Sequence, residues 1–128
     1  QESGQLKMVD FAASGTVPFD KVPGISIRYA FGHTDAMMVP QIKVGDKTIV
    51  YMADLLPSPA HMPLPYVMAY DMFPLITLTE KKAFLEEAAA NDYLLFFEHD
   101  ASIEVCSLEK TERGIRPAAT GNLKDFIG

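Results

Sequence analysis

The 128-residue chain holds a single cysteine, an excess of acid over base, and no long apolar run. Each shortage removes a class of protein. One thiol, Cys106, cannot close an internal disulfide, so no disulfide framework holds the fold. It lies in an alternating strand pattern and is expected to be a small core residue rather than a nucleophile. Lys and Arg number 11 against 17 Asp and Glu, a formal net charge of −6. Nucleic acid and anionic membranes are recognised by clustered cations, so neither is an expected partner. No apolar stretch approaches the roughly 18 residues of a membrane span. The chain opens Gln1-Glu2-Ser3-Gly4, with neither a Met nor a signal-peptide pattern. It reads as a processed chain or a piece of something longer, and a cytoplasmic location is the expectation.

What is present suits a packed core. Apolar residues make up 48% and charged residues 22%, in the length of one ordinary domain, 1–128. A short strand is expected over 6–11, then a loop over 12–23 with Gly15, Pro18 and Pro23. Alternation over 25–30 puts Ile25, Ile27 and Tyr29 on one face of a strand that ends at Gly32-His33. Residues 36–44 form a further strand, in which Pro40 hints at an edge or a bulge. Gly45-Asp46 turns the chain back into a strand over 47–53, apolar on both faces, that stops at Asp54.

Residues 55–76 contain Pro57, Pro59, Pro63, Pro65 and Pro74, which exclude a long regular helix. So long a loop in a compact domain is more often functional than idle. Thr77-Leu78-Thr79-Glu80 has the form of a capping box and opens the one main helix, about 77–90. Leu78, Phe84, Leu85, Ala88 and Ala89 give that helix a rough apolar stripe. Tyr93 to Phe97 is a buried strand ending at Glu98-His99-Asp100. A strand pair over 102–108 and 114–118 and one helical turn near 122–127 complete the chain. The seven methionines are expected mostly in the core.

Chemistry concentrates at strand ends. His33, Asp54 and His99 each follow an apolar strand. If those strands are neighbours pointing the same way, two imidazoles and a carboxylate meet at one rim. Zinc or a similar divalent ion accepts that donor set. The competing reading is that such residues merely cap and solvate strand ends in a small α/β domain. His61, in the proline-rich loop, reads as a loop contact, and Asp71 as a cap or local hydrogen-bonding residue.

Phe31-Gly32-His33-Thr34 resembles the Pro-Gly-His-Thr motif of the metallo-β-lactamase-fold hydrolases, whose histidine is a metal ligand. Asp54 resembles the family's bridging aspartate, which follows the next hairpin. His99 resembles its last ligand, after a strand that follows a helix. The similarity spans roughly residues 5–118. Two departures stand out: Asp35-Ala36 replaces the usual Pro-Gly after His-Thr, and no His-x-His-x-Asp-His motif is present.

The resemblance implies the C-terminal half of an αββα sandwich, of α+β or α/β class. Its sheet would be mostly antiparallel with one main helix. His33, Asp54 and His99 would hold two divalent ions, zinc first among them, together with ligands from a missing N-terminal half. Such a centre activates water to attack an ester, lactone, thioester or phosphoester. His61, Tyr66, Met68 and Tyr70 would belong to the substrate pocket. The fragment alone is expected to be inactive and to bind metal weakly or not at all. Its uncovered sheet face implies a homodimer or higher oligomer. The alternative is a non-catalytic binding or assembly module that keeps the half-fold. The sequence upstream of Gln1 separates the two: a His-x-His-x-Asp-His motif there favours the enzyme.

Overall fold

Seven strands lie side by side in sequence order in the computed structural model, which describes residues 3–5, 8 and 15–128. They are β1 (Thr16–Pro18), β2 (Ile25–Ala30), β3 (Met37–Val44), β4 (Lys47–Tyr51), β5 (Leu94–Phe96), β6 (Val105–Thr111) and β7 (Gly114–Gly121). Every neighbouring pair is antiparallel except β4 and β5. That parallel pair needs a crossover, and the proline-rich loop with helix α1 (Pro74–Ala90) supplies it. A last turn of helix, α2, spans Lys124–Ile127. The result is a mostly antiparallel sheet with one main helix. The strand expected over 6–11 lies outside the described residues, Met8 apart.

Three local readings are corrected. Within the stretch read as loop, β1 pairs Thr16, Val17 and Pro18 with Arg28, Ile27 and Ser26. Three residues are too few to show an alternation, and Pro18 is tolerated because β1 is an edge strand among the described residues. Pro40 is neither at an edge nor at a bulge: it pairs with Ile27 in a strand flanked by β2 and β4. The Lys43 amide donates to the Gly24 carbonyl, on the β2 side. Alternation then turns the Pro40 nitrogen toward β4, where the ladder has already stopped at Gln41 and Val50.

The third correction concerns the capping box. Helix α1 begins three residues early, at Pro74, where the first turn needs no amide donor. Thr77 is therefore inside the helix and 2% exposed, and its hydroxyl finds no partner among the described residues. Glu80 does not reach back; its carboxylate accepts from the amides of Phe31 and Gly32.

The sheet has two apolar faces. Phe84, Leu85 and Ala88 of α1 pack with Val39, Val50, Leu95 and Cys106 on one. Burial pushes the Cys106 thiol up to about 12, so it is a core residue and not a nucleophile. Fully burying side chains such as Phe84 and Leu85 contributes about 1.5–3 kcal/mol each. Arg28 crosses this side, pairing with Glu87 and lying 5.6 Å from the Phe84 ring centroid.

On the other face, strand register aligns Tyr29 with Met38, Ile25 with Ile42 and then Ile49, and Tyr51 with Phe96. α2 covers one end of this face, through Leu123, Phe126 and Ile127 against Ile49, Leu94 and Val105, and Ile27 and Tyr29 are buried on its β2 side. Met38 is 47% exposed, and Met8 and Met72 are exposed too, so the methionines are less interior than expected. Among the described residues no helix is long and apolar enough to cross a membrane.

Candidate functional site

The strand directions bring the site together. Two antiparallel steps, β2 to β3 and β3 to β4, leave β2 and β4 pointing the same way, and β5 is parallel to β4. Their C-terminal ends therefore share one rim. Tyr51 and Phe96 are register partners, so Asp54 and His99 each follow a paired position by the same number of residues. The strand β3 separates β2 from β4, so the three strands are not all neighbours, yet their ends converge.

His33 is fixed through its backbone before its ring makes any contact. The Met72 amide donates to the His33 carbonyl at 3.1 Å, and that of Phe73 to the Gly32 carbonyl at 2.8 Å. From the other side, Glu80 accepts from the amides of Phe31 at 2.8 Å and Gly32 at 3.0 Å. This double stitching draws the Gly32 backbone onto the second turn of α1. A Cβ at Gly32 would lie 2.3 Å from the Thr77 nitrogen, so only glycine fits.

Asp54 leaves β4 through Ala53, a non-glycine residue at φ 45°. This left-handed conformation costs on the order of 1 kcal/mol. The neighbouring Met52 amide is anchored to the Phe96 carbonyl at 2.9 Å. His99 leaves β5 through Phe97, whose amide donates to the Glu104 carbonyl at 2.9 Å. Asp100 then accepts from the amides of Ser102 and Ile103 and delays β6 to Val105.

The Asp54 carboxylate sits between the two histidines. Its Oδ2 lies 3.4 Å from His33 Nε2 and its Oδ1 lies 3.1 Å from His99 Nε2. Glu98 Oε1 lies 2.9 Å from the same His99 nitrogen. Oxygen and nitrogen donors of Asp54, Glu98 and His99 all fall within 4.8 Å of one another, a group able to hold a cation. Such a mixture of imidazole and carboxylate fits borderline divalent ions. His33 is mostly buried, with its side chain 14% exposed, while that of His99 is 52% exposed.

Two further residues take roles that the sequence did not show. Asp71 does not bond locally: its Oδ1 lies 2.9 Å from His33 Nδ1 across 38 residues. Lys81 is 1% exposed and donates to the carbonyls of His61 at 3.0 Å, Pro63 at 3.1 Å and Tyr66 at 2.8 Å. Burial lowers its ammonium to about 8, with the Asp71 carboxylate pulling the other way. Lys81 thus pins the proline-rich loop to α1. Glu98 was the one addition visible in the sequence, beside His99.

A cavity of about 350 Å³ opens next to His99, lined by Pro57, Ser58, His61, Met68 and Tyr70 among others. His61 is held there by a 3.0 Å contact between its Nδ1 and the Ser58 hydroxyl. Tyr70 also stands edge-on to the His33 ring at 6.4 Å. Tyr66 is not among the lining residues; its ring is largely solvent-facing and its carbonyl serves Lys81.

No family model matches the sequence, and no curated protein matches it. Solved structures do match. The chain is 26% identical to a probable metal-dependent hydrolase from Staphylococcus aureus, with a TM-score of 0.71 over 80% of this chain and 36% of that one. It is 22% identical to AidC, a dizinc quorum-quenching lactonase, with a TM-score of 0.67 over 78% of this chain and 35% of that one. Against AbOPH, a hydrolase of the β-lactamase superfamily, the identity is 16% and the TM-score 0.66, over 75% of this chain and 34% of that one. The chain spans little more than a third of the length of the structures it matches. Its fold is that of part of these structures, a mostly antiparallel sheet with one main helix.

Proposed function

We propose that this chain is the C-terminal part of a metal-dependent hydrolase, with His33, Asp54 and His99 as metal ligands. The observation that carries the proposal is the placement of one carboxylate between two imidazoles, one oxygen toward each. A carboxylate with one oxygen toward each of two imidazoles could serve two ions, and Asp54 would be the ligand shared between them. When bound, the ions, zinc being the expected pair, act as Lewis acids and bring water toward ionisation near neutral pH. The protein's own part is positional. The rim of the sheet fixes His33 and His99, and the Asp54 carboxylate offsets part of the cationic charge. His61, Met68 and Tyr70 shape the adjoining cavity for an ester, lactone, thioester or phosphoester. The solved structures of similar fold include a lactonase, which supports a hydrolase as the parent.

The remaining ligands are assigned to an N-terminal half of the parent protein. The His33 position has only His33 and Asp54, short of the three protein ligands of a catalytic zinc site, and the His99 position reaches three only through the exposed Glu98. The 128 residues alone therefore bind zinc weakly and hydrolyse nothing measurable. Equilibrium dialysis against zinc tests this: weak, incomplete binding is expected.

In the parent, the N-terminal half would cover the apolar sheet face that α2 leaves open. In its absence a second copy of this chain takes that place, giving a homodimer with a self-complementary interface. Met38, Ile42 and Tyr51, exposed or partly exposed on that face, motivate this. Light scattering is expected to report a dimer or larger species; a monodisperse monomer at high concentration contradicts it.

A further inference from the structure

We propose that Asp71 is a positioning residue for His33, fixing which ring nitrogen faces Asp54. The inference rests on the reading of His33 as a metal ligand and adds how that ligand is oriented. An imidazole can be protonated on either nitrogen, and only the unprotonated one can bind a cation. A carboxylate at Nδ1 accepts a proton held there and leaves Nε2 free. Asp71 meets that description: its Oδ1 is 2.9 Å from Nδ1, while Nε2 lies on the Asp54 side.

The burial of Asp71 makes a local or solvent role untenable. Its side chain is 1% exposed, and its second oxygen, Oδ2, is buried without a hydrogen-bond partner among the described residues. Withholding a carboxylate from water is costly unless a specific interaction compensates. His33 is its one side-chain hydrogen-bond partner among the described residues, and the buried Lys81 ammonium is the cation that its charge reaches. The backbone beside it is already committed to the same histidine, through the Met72 amide on the His33 carbonyl.

The two carboxylates also have a chain relationship. Asp54 stands just before the proline-rich loop and Asp71 near its end, and they contact opposite nitrogens of one ring. Lys81 holds the middle of that loop through three carbonyls. The loop is thus closed at both ends on His33, so the cavity wall and the ligand share one support.

The test uses the 128-residue chain, histidine ring ¹⁵N spectra at a pH where the imidazole is neutral, and zinc alone as probe. Wild type is expected to hold His33 in a single tautomer, protonated at Nδ1. Asp71→Ala should show mixed tautomers and bind zinc about 10–100-fold more weakly. Asp71→Asn keeps the volume and an oxygen able to accept the same bond, so it should retain most of both properties and serves if the alanine variant does not fold. His33 protonated at Nε2 in the wild type overturns the proposal. So does an Asp71→Ala chain with unchanged tautomer and zinc affinity. A wild type that keeps the Nδ1–H tautomer through Asp71 but binds no zinc supports the positioning and removes the ligand reading instead.

Discussion

Gly32→Ala is expected to cost about 3 kcal/mol of stability and to displace His33, because the added methyl meets main chain rather than a movable side chain. The new Cβ would lie 2.3 Å from the Thr77 nitrogen and 2.6 Å from its Cα. Neither can retreat alone. Thr77 is in α1, and the segment around Gly32 is held to that helix by Glu80 from one side and the Phe73 amide from the other. Relief would have to break those bonds, and the ring of His33 would move with them. Urea denaturation reads the effect as a lower midpoint at unchanged slope. A midpoint within about 0.5 kcal/mol of wild type, the range of an ordinary surface change, would show that the close approach does not hold.

Lys81→Met is the second large effect. It keeps the length of the side chain and removes the donor to three carbonyls. Hydrogen bonds to a charged group are each worth more than neutral ones, and carbonyls left buried carry their own penalty. A loss on the order of 3 kcal/mol is expected, with amide exchange faster around residues 61–66 than in α1. The pH dependence has a definite sign. The ammonium is lowered from 10.5 to about 8 in the folded chain, so the unfolded chain holds this proton more tightly. Between those values the unfolded state binds more protons, and stability contributed by Lys81 rises with pH. Below the folded value the cost of the buried charge is constant. The stability gap between wild type and Lys81→Met should therefore widen from about pH 8 to 10.5. A flat gap across that window contradicts the assignment.

Most of what the sequence made legible was short-range. The turn at Gly45-Asp46 sits between β3 and β4 as read. The apolar runs behind His33, Asp54 and His99 are strands, and their ends do converge. These signals survive because alternation and turn chemistry act over a few residues. The misreadings came from contacts between distant residues, which leave no period. Glu80 has the spacing of a capping box, yet its oxygens serve amides 48 and 49 residues away. Asp71 looks like turn chemistry, yet its partner is His33.

The buried stripe of α1 was hidden for a different reason. Two of its five buried residues are Thr77 and Lys81, which hydropathy assigns to the outside. Lys81 is inside because the loop it meets presents carbonyls, and prolines in that loop remove amide donors without removing acceptors. Composition showed the prolines but not what the helix would need to offer them.

Equilibrium dialysis against zinc, with wild type beside Asp54→Ala, tests the central assignment most directly. If Asp54 lies between two ion positions and the other ligands come from elsewhere, the wild type binds zinc only above about micromolar concentration, and the variant loses that binding altogether. Stoichiometric wild-type binding below about micromolar would mean that these residues form a complete site. Binding unchanged in Asp54→Ala would mean that the carboxylate between His33 and His99 is not a ligand.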